Sequence, residues 1–337
     1  MNPTPPLVLV FAGNDPSGGT GLTADILALA SLGCHPLPVI TAIAVQDSAG
    51  LQEFQPVEPD WLEDQARLIL EDMRIDAIKV GLVGSIENLT VIAEIASDYP
   101  EIPLILEPVL SSGESDEYST DELIAAMREL LLPHTLIVTP NSIEARRLAS
   151  DDADEQEDMP LDAAAQRMLN CGCEYVLITG THENTPKVTN TLFSGNGRVR
   201  ADSWDRLPGS FHGAGCTLTA AIAGAIASGV ELSQAVRDAQ EYTWQALSGG
   251  FRPGMGQIIP DRMFWARPSD EEVAAALAED VAKAEADAAT QDGDAAADDA
   301  AADAAAADAA AADAAAADAA SDAAPDHAAD QISAKGA

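Results

Sequence analysis

Leu7-Val8-Leu9-Val10-Phe11-Ala12-Gly13, followed at once by Asn14-Asp15-Pro16-Ser17-Gly18-Gly19-Thr20-Gly21, is the stretch that decides the fold class of this chain. Six apolar residues run without polar alternation into a glycine-rich turn, and a helical pattern begins directly after it. An unbroken Val/Ile/Leu run of that length is the mark of a strand buried on both faces, as in a parallel sheet. The same type of run recurs as PVITAIAV (38–45), AIKVGLV (77–83), LILEPVL (104–110), TLIVTPN (135–141) and YVLITG (175–180). Helical patterns lie between them, near 21–33, 59–74, 86–98, 119–131 and 160–171. Strands alternating with helices predict an α/β sandwich with right-handed crossovers. Ligands in such sheets bind at the carboxyl ends of the strands, so the informative loops are those that follow the apolar runs.

The pattern stops near Pro268. Beyond it aromatics vanish, and Ala and Asp take over in a five-residue near-repeat, DAAAADAAAADAAAADAA. The expected organisation is therefore one domain at 1–267 and a low-complexity Ala/Asp-rich tail at 268–337. The start of that tail can form a short exposed helix. The rest buries too little apolar surface to offset its ordering entropy and should be disordered or a fluctuating helix. The chain of 337 residues has 17 basic and 56 acidic side chains, net −39, and the tail supplies 18 of the acidic and 2 of the basic ones. This balance argues against a nucleic-acid partner and against an anionic membrane surface, both of which need clustered Lys and Arg. Only four Lys occur: Lys79, Lys187, Lys283 and Lys335. Acid-rich, Lys-poor composition points to a salt-adapted source, with ordinary acidic solubility as the plainer reading. No run approaches the roughly 20 apolar residues of a membrane span, and the N-terminus does not read as a signal peptide. A cytoplasmic protein with reduced thiols is expected. Cys171-Gly172-Cys173 lacks a second Cys or His pair nearby and does not read as a metal site.

Four loops carry chemistry. The turn at Ala12–Gly21 allows a substrate to approach the backbone, and the helix behind it favours an anion. It is neither a Walker A loop nor GxGxxG, and a tight turn without a ligand accounts for it equally. Gln46, at the end of the second run, can read the donor and acceptor edge of a heterocycle. Phe211-His212-Gly213-Ala214-Gly215-Cys216-Thr217 precedes a long small-residue helix. The amides of Gly213 to Cys216 there form a candidate anion hole, suited to charge on a transferring phosphoryl group. Cys216 in the first helical turn should have a lowered thiol pKa and could act as general base; packing of a small side chain near a helix start is the alternative. Asn141 and Glu144 read as a capping box, or as groups holding water and Mg²⁺ near phosphates.

Taken in order, AGNDPSGGTGLTAD, VITAIAVQDSAG, IKVGLVGS, EPVL, LLPHTLIVTPNSIEA, FHGAGCTLTAAIAG and PGMGQI resemble the hydroxymethylpyrimidine/phosphomethylpyrimidine kinases of thiamin synthesis, in the ribokinase-like superfamily. The resemblance runs from about Leu7 to Arg267. It implies a ribokinase-like three-layer α/β/α sandwich with a mostly parallel central sheet. It also implies ATP and Mg²⁺ as cofactors, a small-molecule pyrimidine alcohol as substrate, and is compatible with a homodimer. Residue by residue, Gly13, Asp25, Gln46 and Val109 match positions that contact the pyrimidine. Asn141, Glu144, Thr179 and Gly180 fall in the nucleotide region, with Glu144 and Glu107 as metal ligands. Gly213, Ala214, Gly215 and Cys216 match the anion hole and base. The chain departs from the family in four places. No Lys follows the EPVL segment at Leu110–Glu114, and none precedes His182; Glu107 replaces an Asp and Ala214 a Thr. A pyridoxal/pyridoxine kinase and a non-catalytic pyrimidine-binding relative are the competing readings.

Overall fold

The computed structural model describes residues 3–110, 119–268, 272–275 and 277–283. By backbone contacts the chain forms two units, Met1–Ala266 and Arg267–Ala337. In the second, residues 272–275 and 277–283 are helical and exposed; the tail that the sequence leads one to expect as disordered lies mostly outside the described residues.

The first unit runs β1 (Leu7–Ala12), α1 (Gly21–Ser31), β2 (His35–Ile40), β3 (Ala42–Gln46), β4 (Leu51–Pro56), α2 (Pro59–Asp72), β5 (Ala77–Val80), α3 (Ile86–Asp98) and β6 (Leu104–Leu106). It continues with α4 (Asp121–Ala126), β7 (Ile137–Val138), α5 (Ser142–Ala149), α6 (Ala153–Asp158), α7 (Leu161–Asn170), β8 (Tyr175–Ile178), β9 (Lys187–Ser194), β10 (Gly197–Asp205), α8 (Ala214–Ala227) and α9 (Leu232–Ser248). Eight strands form one sheet in the order β10-β9-β8-β7-β6-β5-β1-β2. The six from β8 to β2 are parallel, and β9 and β10 close one edge as an antiparallel hairpin.

The unbroken apolar runs are explained by two cores. Leu9 and Phe11 of β1 face one way and pack with α2, α3, α5 and α7; Val8, Val10 and Ala12 face the other and pack with α1, α8 and α9. At the centre of the sheet, in β1 and β5 to β8, both faces are covered, so these strands read as near-continuous apolar runs. The result is the three-layer sandwich with a mostly parallel sheet.

One apolar run is not one strand. PVITAIAV divides at Thr41. Its amide still follows the sheet, donating to Ala12 O at 3.1 Å, but its carbonyl accepts from Val57 N and Asn88 Nδ2. Beyond it β3 leaves the main sheet and pairs antiparallel with β4. The polar strands β4, β9 and β10 escaped the apolar-run criterion because they lie on hairpins or the sheet edge.

Candidate active site

The carboxyl ends of β1, β5, β6, β7 and β8 deliver Gly13, Gly81, Glu107, Asn141 and Thr179 to one side of the sheet. The N-terminus of α8 comes to the same side. At the centre lies a buried charge cluster. Lys79 Nζ, fully buried on β5, donates to Asp25 Oδ2 at 2.9 Å and to Glu107 Oε2 at 2.7 Å. Asp25, Glu107 and Cys216 bring two carboxylate oxygens and the thiol sulfur within 4.8 Å of one another. Such a triad has the spacing of a metal centre, but the Lys79 ammonium already bridges its two carboxylates. In the sequence Lys79 reads only as part of an apolar strand. A lone Lys in such a run is the signal that was there to be used, because a buried ammonium requires anionic partners.

A second buried cation was not foreseen. Arg262 donates through Nε to Thr217 Oγ1 at 3.0 Å and through Nη1 and Nη2 to the carbonyls of Gly18 and Gly19. It ties the first glycine-rich loop to the start of α8. Each of its three nitrogens donates to a protein oxygen, which fixes the start of α8 against the first loop. Lys79 and Arg262 together balance the Asp25 and Glu107 charges. The segment Leu110–Glu114, where one of the missing Lys is expected, lies outside the described residues from 111 onward.

The segment that the sequence reads as a candidate anion hole stands at a helix start. Gly213 is the N-cap of α8, and Ala214, Gly215 and Cys216 form its first turn. Amides in a first turn have no i−4 carbonyl and point out of the helix end. Gly213 has φ +95°, and a Cβ there would stand 1.8 Å from Gly19 O. At Gly215 a Cβ would stand 2.7 Å from Glu107 Oε1, so a side chain there would have to push the Glu107 carboxylate aside.

The thiol does not behave as position alone predicts. Burial pushes the Cys216 pKa well above its ordinary value, and the Glu107 charge adds to this more than Lys79 relieves it. The expectation of a thiolate lowered by the helix start is corrected here: a sulfur shielded from water and facing a carboxylate keeps its proton. Burial also raises Asp25 to about 6, against the Lys79 charge. Asp25 Oδ1 is buried with no hydrogen-bond partner among the described residues.

Gly13 and Val109 follow β1 and β6, and Gln46 ends β3. Gly13 O accepts from Leu22 N at 2.9 Å, and a Cβ on Gly13 would press on Leu82 at 3.1 Å. Asn14 fastens the β3–β4 hairpin to the first loop: its amide donates to Ala42 O and its Oδ1 accepts from Ala44 N. This holds Gln46, the last residue of β3, beside His212. Val109 lies two residues past Glu107, whose carbonyl its amide meets at 2.9 Å. A belt from the chain's far end locks the rim, with Gln257 N donating to Ser48 O at 2.7 Å and His212 N to Ile258 O at 2.8 Å.

Asn141 and Glu144 do form a capping box on α5. Asn141 Oδ1 accepts from the Ile143 and Glu144 amides, and Glu144 Oε2 accepts from Asn141 N at 2.9 Å. Burial raises Glu144 to about 8; the Asn141 amide opposes the shift and Glu107 adds to it. Thr179 and Gly180 are joined to this box by the Asn141–Thr179 bridge but lie two strands from Glu107. The Gly180 amide is spent on Asn190 Oδ1 at 3.1 Å and the Thr179 amide on Pro140 O at 2.9 Å, so what the pair can offer a ligand is the side chain of the half-buried Thr179.

The profile of the phosphomethylpyrimidine kinase family matches residues 15–261. A hydroxymethylpyrimidine/phosphomethylpyrimidine kinase of Streptomyces coelicolor is 34% identical over 267 residues, covering 78% of this chain and 96% of the relative. Among solved structures, a Staphylococcus aureus pyridoxal kinase in complex with AMP-PCP and pyridoxal aligns with TM-score 0.69 and 26% identity, covering 79% of this chain and 96% of that one. The phosphomethylpyrimidine kinase of Clostridium difficile aligns with TM-score 0.59 and 26% identity, covering 70% and 97%. On this sequence match, together with the sandwich fold and the helix-start site it carries, the chain belongs to the phosphomethylpyrimidine kinase family.

Proposed function

We propose that this chain transfers the γ-phosphoryl group of ATP to the hydroxymethyl group of hydroxymethylpyrimidine, its monophosphate, or both, in thiamin synthesis. The observation that carries the reading is the meeting of the open amides of Gly213–Cys216 with the Asp25–Lys79–Glu107 cluster at the strand ends. Phosphoryl transfer asks a protein chiefly for positioning and for stabilisation of charge on the moving group. The α8 amides supply the second, and Arg262 and Gly213 hold them rigid against the first loop. Gly13, Asp25, Gln46 and Val109 border the place for the ring. Cys216 stands at the hydroxyl end as proton acceptor. Because its thiol keeps a proton, Cys216 can take the hydroxyl proton only by giving its own to a base, and the candidate is Asp25, one of whose carboxylate oxygens lies within 4.8 Å of the sulfur.

The nucleotide end is assigned to Asn141, Glu144 and Thr179. Glu144 is raised by burial and further by the nearby Glu107 charge, and the carboxylate oxygens of Glu107 and Glu144 are donors of the kind a hard cation such as Mg²⁺ takes. Such an ion would neutralise phosphate charge. Residues 1–267 are read as the catalytic unit, with 268–337 as an appendage outside it. Among the described residues no helix is long and apolar enough to cross a membrane.

Pyridoxal or pyridoxine is the second substrate reading, favoured by the structural likeness to the pyridoxal kinase. An assay of ADP release with Mg-ATP and a panel of heterocyclic alcohols separates the readings. Turnover should be highest with hydroxymethylpyrimidine. Turnover of pyridoxal alone would promote the second reading, and pyrimidine binding without ADP release at any salt concentration would make this a non-catalytic binder.

A further inference from the structure

His212 is buried, and neither the anion hole nor the base uses its imidazole. Its Nε2 lies 2.8 Å from Asp15 Oδ2 and 3.0 Å from the amide nitrogen position of Gln46. The ring lies against Gly19, where a Cβ would come within 2.1 Å of His212 Cδ2. One face and one edge of the imidazole are therefore fixed by the first loop, and its backbone by Ile258.

The hydrogen-bond partners determine the proton. Asp15 Oδ2 also accepts from Thr20 N at 2.8 Å and Thr20 Oγ1 at 2.9 Å, and Asp15 Oδ1 accepts from Ser17 N at 2.8 Å. Burial alone would raise this acid, but the bonds from His212, Ser17 and Thr20 override it and hold Asp15 well below the usual carboxylate range. An ionised carboxylate is acceptor only, so His212 Nε2 must carry a hydrogen. An amide NH₂ cannot face an N–H. Which end of a Gln amide points where is set by its partners, so the Gln46 carbonyl turns to His212 and its NH₂ turns away.

We propose that His212, oriented by Asp15, is a positioning residue that holds the Gln46 amide with its NH₂ toward the substrate, so that the site selects a heteroaromatic alcohol presenting a ring-nitrogen lone pair over one presenting an N–H. This deepens the kinase reading and rests on it for the identity of the ring that Gln46 meets. The chain of control is Asp15 to His212 to Gln46, and it links the first loop, the α8 start and the β3 end.

The test has two arms. Binding of hydroxymethylpyrimidine is measured by calorimetry for wild type, Gln46→Leu, His212→Phe and the double variant, with KM for ATP alongside. His212→Phe should weaken pyrimidine binding about tenfold, the scale of one hydrogen bond, while ATP KM stays within about twofold. In the Gln46→Leu background the same change should add nothing, because the group it positions is gone. An equal loss in both backgrounds overturns the proposal, since His212 would then act only on packing. The second arm is the ¹⁵N NMR signature of His212 in the unsubstituted protein, which does not depend on substrate or on folding of a variant. The Nε2–H tautomer supports the proposal and an Nδ1–H tautomer overturns it. Wild-type protein that binds no heterocyclic alcohol would defeat the kinase reading, and the tautomer would still decide the orientation of Gln46.

Discussion

Cys216 shows how burial and a helix start compete at a single residue. The first turn of a helix stabilises a thiolate by a few tenths to about 1 kcal/mol when exposed, whereas removal from water costs a charged group several times that. Burial wins here, and the thiol pKa rises. Cys216→Ala should therefore leave pyrimidine affinity nearly intact and lower kcat by about 10²–10⁴-fold, the usual range for loss of a positioned acid or base. An unchanged kcat would reduce Cys216 to packing. Glu144 gives a pH prediction. Its pKa in the fold, about 8, lies above the ordinary 4.5. Between those values the folded state holds a proton that the unfolded chain has lost, so this group's contribution makes stability fall as pH rises from about 4.5 to about 8. Glu144→Gln keeps an oxygen for the Asn141 amide and removes the titration. It should flatten the decline in Tm over that range by about 2–5 °C, as judged from roughly 1 kcal/mol in a domain of this size. It should also lower affinity for Mg-ATP. A Tm profile parallel to wild type would mean that the carboxylate titrates freely. The residues of the anion hole and the capping box were legible in the sequence, because glycine spacing and N-cap patterns are local. His212, Asp15 and Arg262 were not given roles, because their partners lie 197 and 243 positions away and no local pattern announces such a pair.

At the scale of elements, the site depends on how closely α8 and the first loop approach. Gly213 allows this by a positive φ, and its Cα faces the Gly19 carbonyl where no side chain fits. Gly213→Ala should cost about 1–3 kcal/mol from backbone strain alone, and the forced shift of the helix start should lower kcat more than pyrimidine affinity. Thermal denaturation with initial rates checks this; a variant with wild-type Tm and kcat would show that the interlock is slack. The five strands buried on both faces, β1 and β5 to β8, and the helices between them were readable because a sheet covered on both faces forces apolar runs. The division of 38–45 at Thr41 was not readable, since β3 keeps the same residue types while changing sheet. What separates β2 from β3 is a set of hydrogen bonds from Val57 and Asn88, which are set by tertiary contacts rather than by composition.

The whole molecule carries net −39, of which −16 belongs to residues 268–337. The catalytic unit thus keeps a large excess of carboxylates, and most of its few cations are consumed in pairs such as Lys79 with Asp25 and Glu107. Self-repulsion of this kind is screened over about 10 Å at 0.1 M salt and about 3 Å at 1 M. Tm should therefore rise between those concentrations, and equal or lower melting at 1 M would remove the salt-adapted reading. All the residues proposed for the site precede 268, so deletion of 268–337 should leave kcat and KM within about twofold; a larger loss in steady-state assays would move the proposed boundary. The central claim is that the amides of Gly213–Cys216 serve phosphoryl transfer to a pyrimidine hydroxymethyl group. It is tested most directly by ³¹P NMR of a reaction containing Mg-ATP, hydroxymethylpyrimidine and the full-length chain at high salt. The account predicts a new phosphomonoester resonance that grows with the ADP signals and is lost with Cys216→Ala. A spectrum in which the pyrimidine binds but no phosphoester forms, or in which ATP yields only inorganic phosphate, would contradict it.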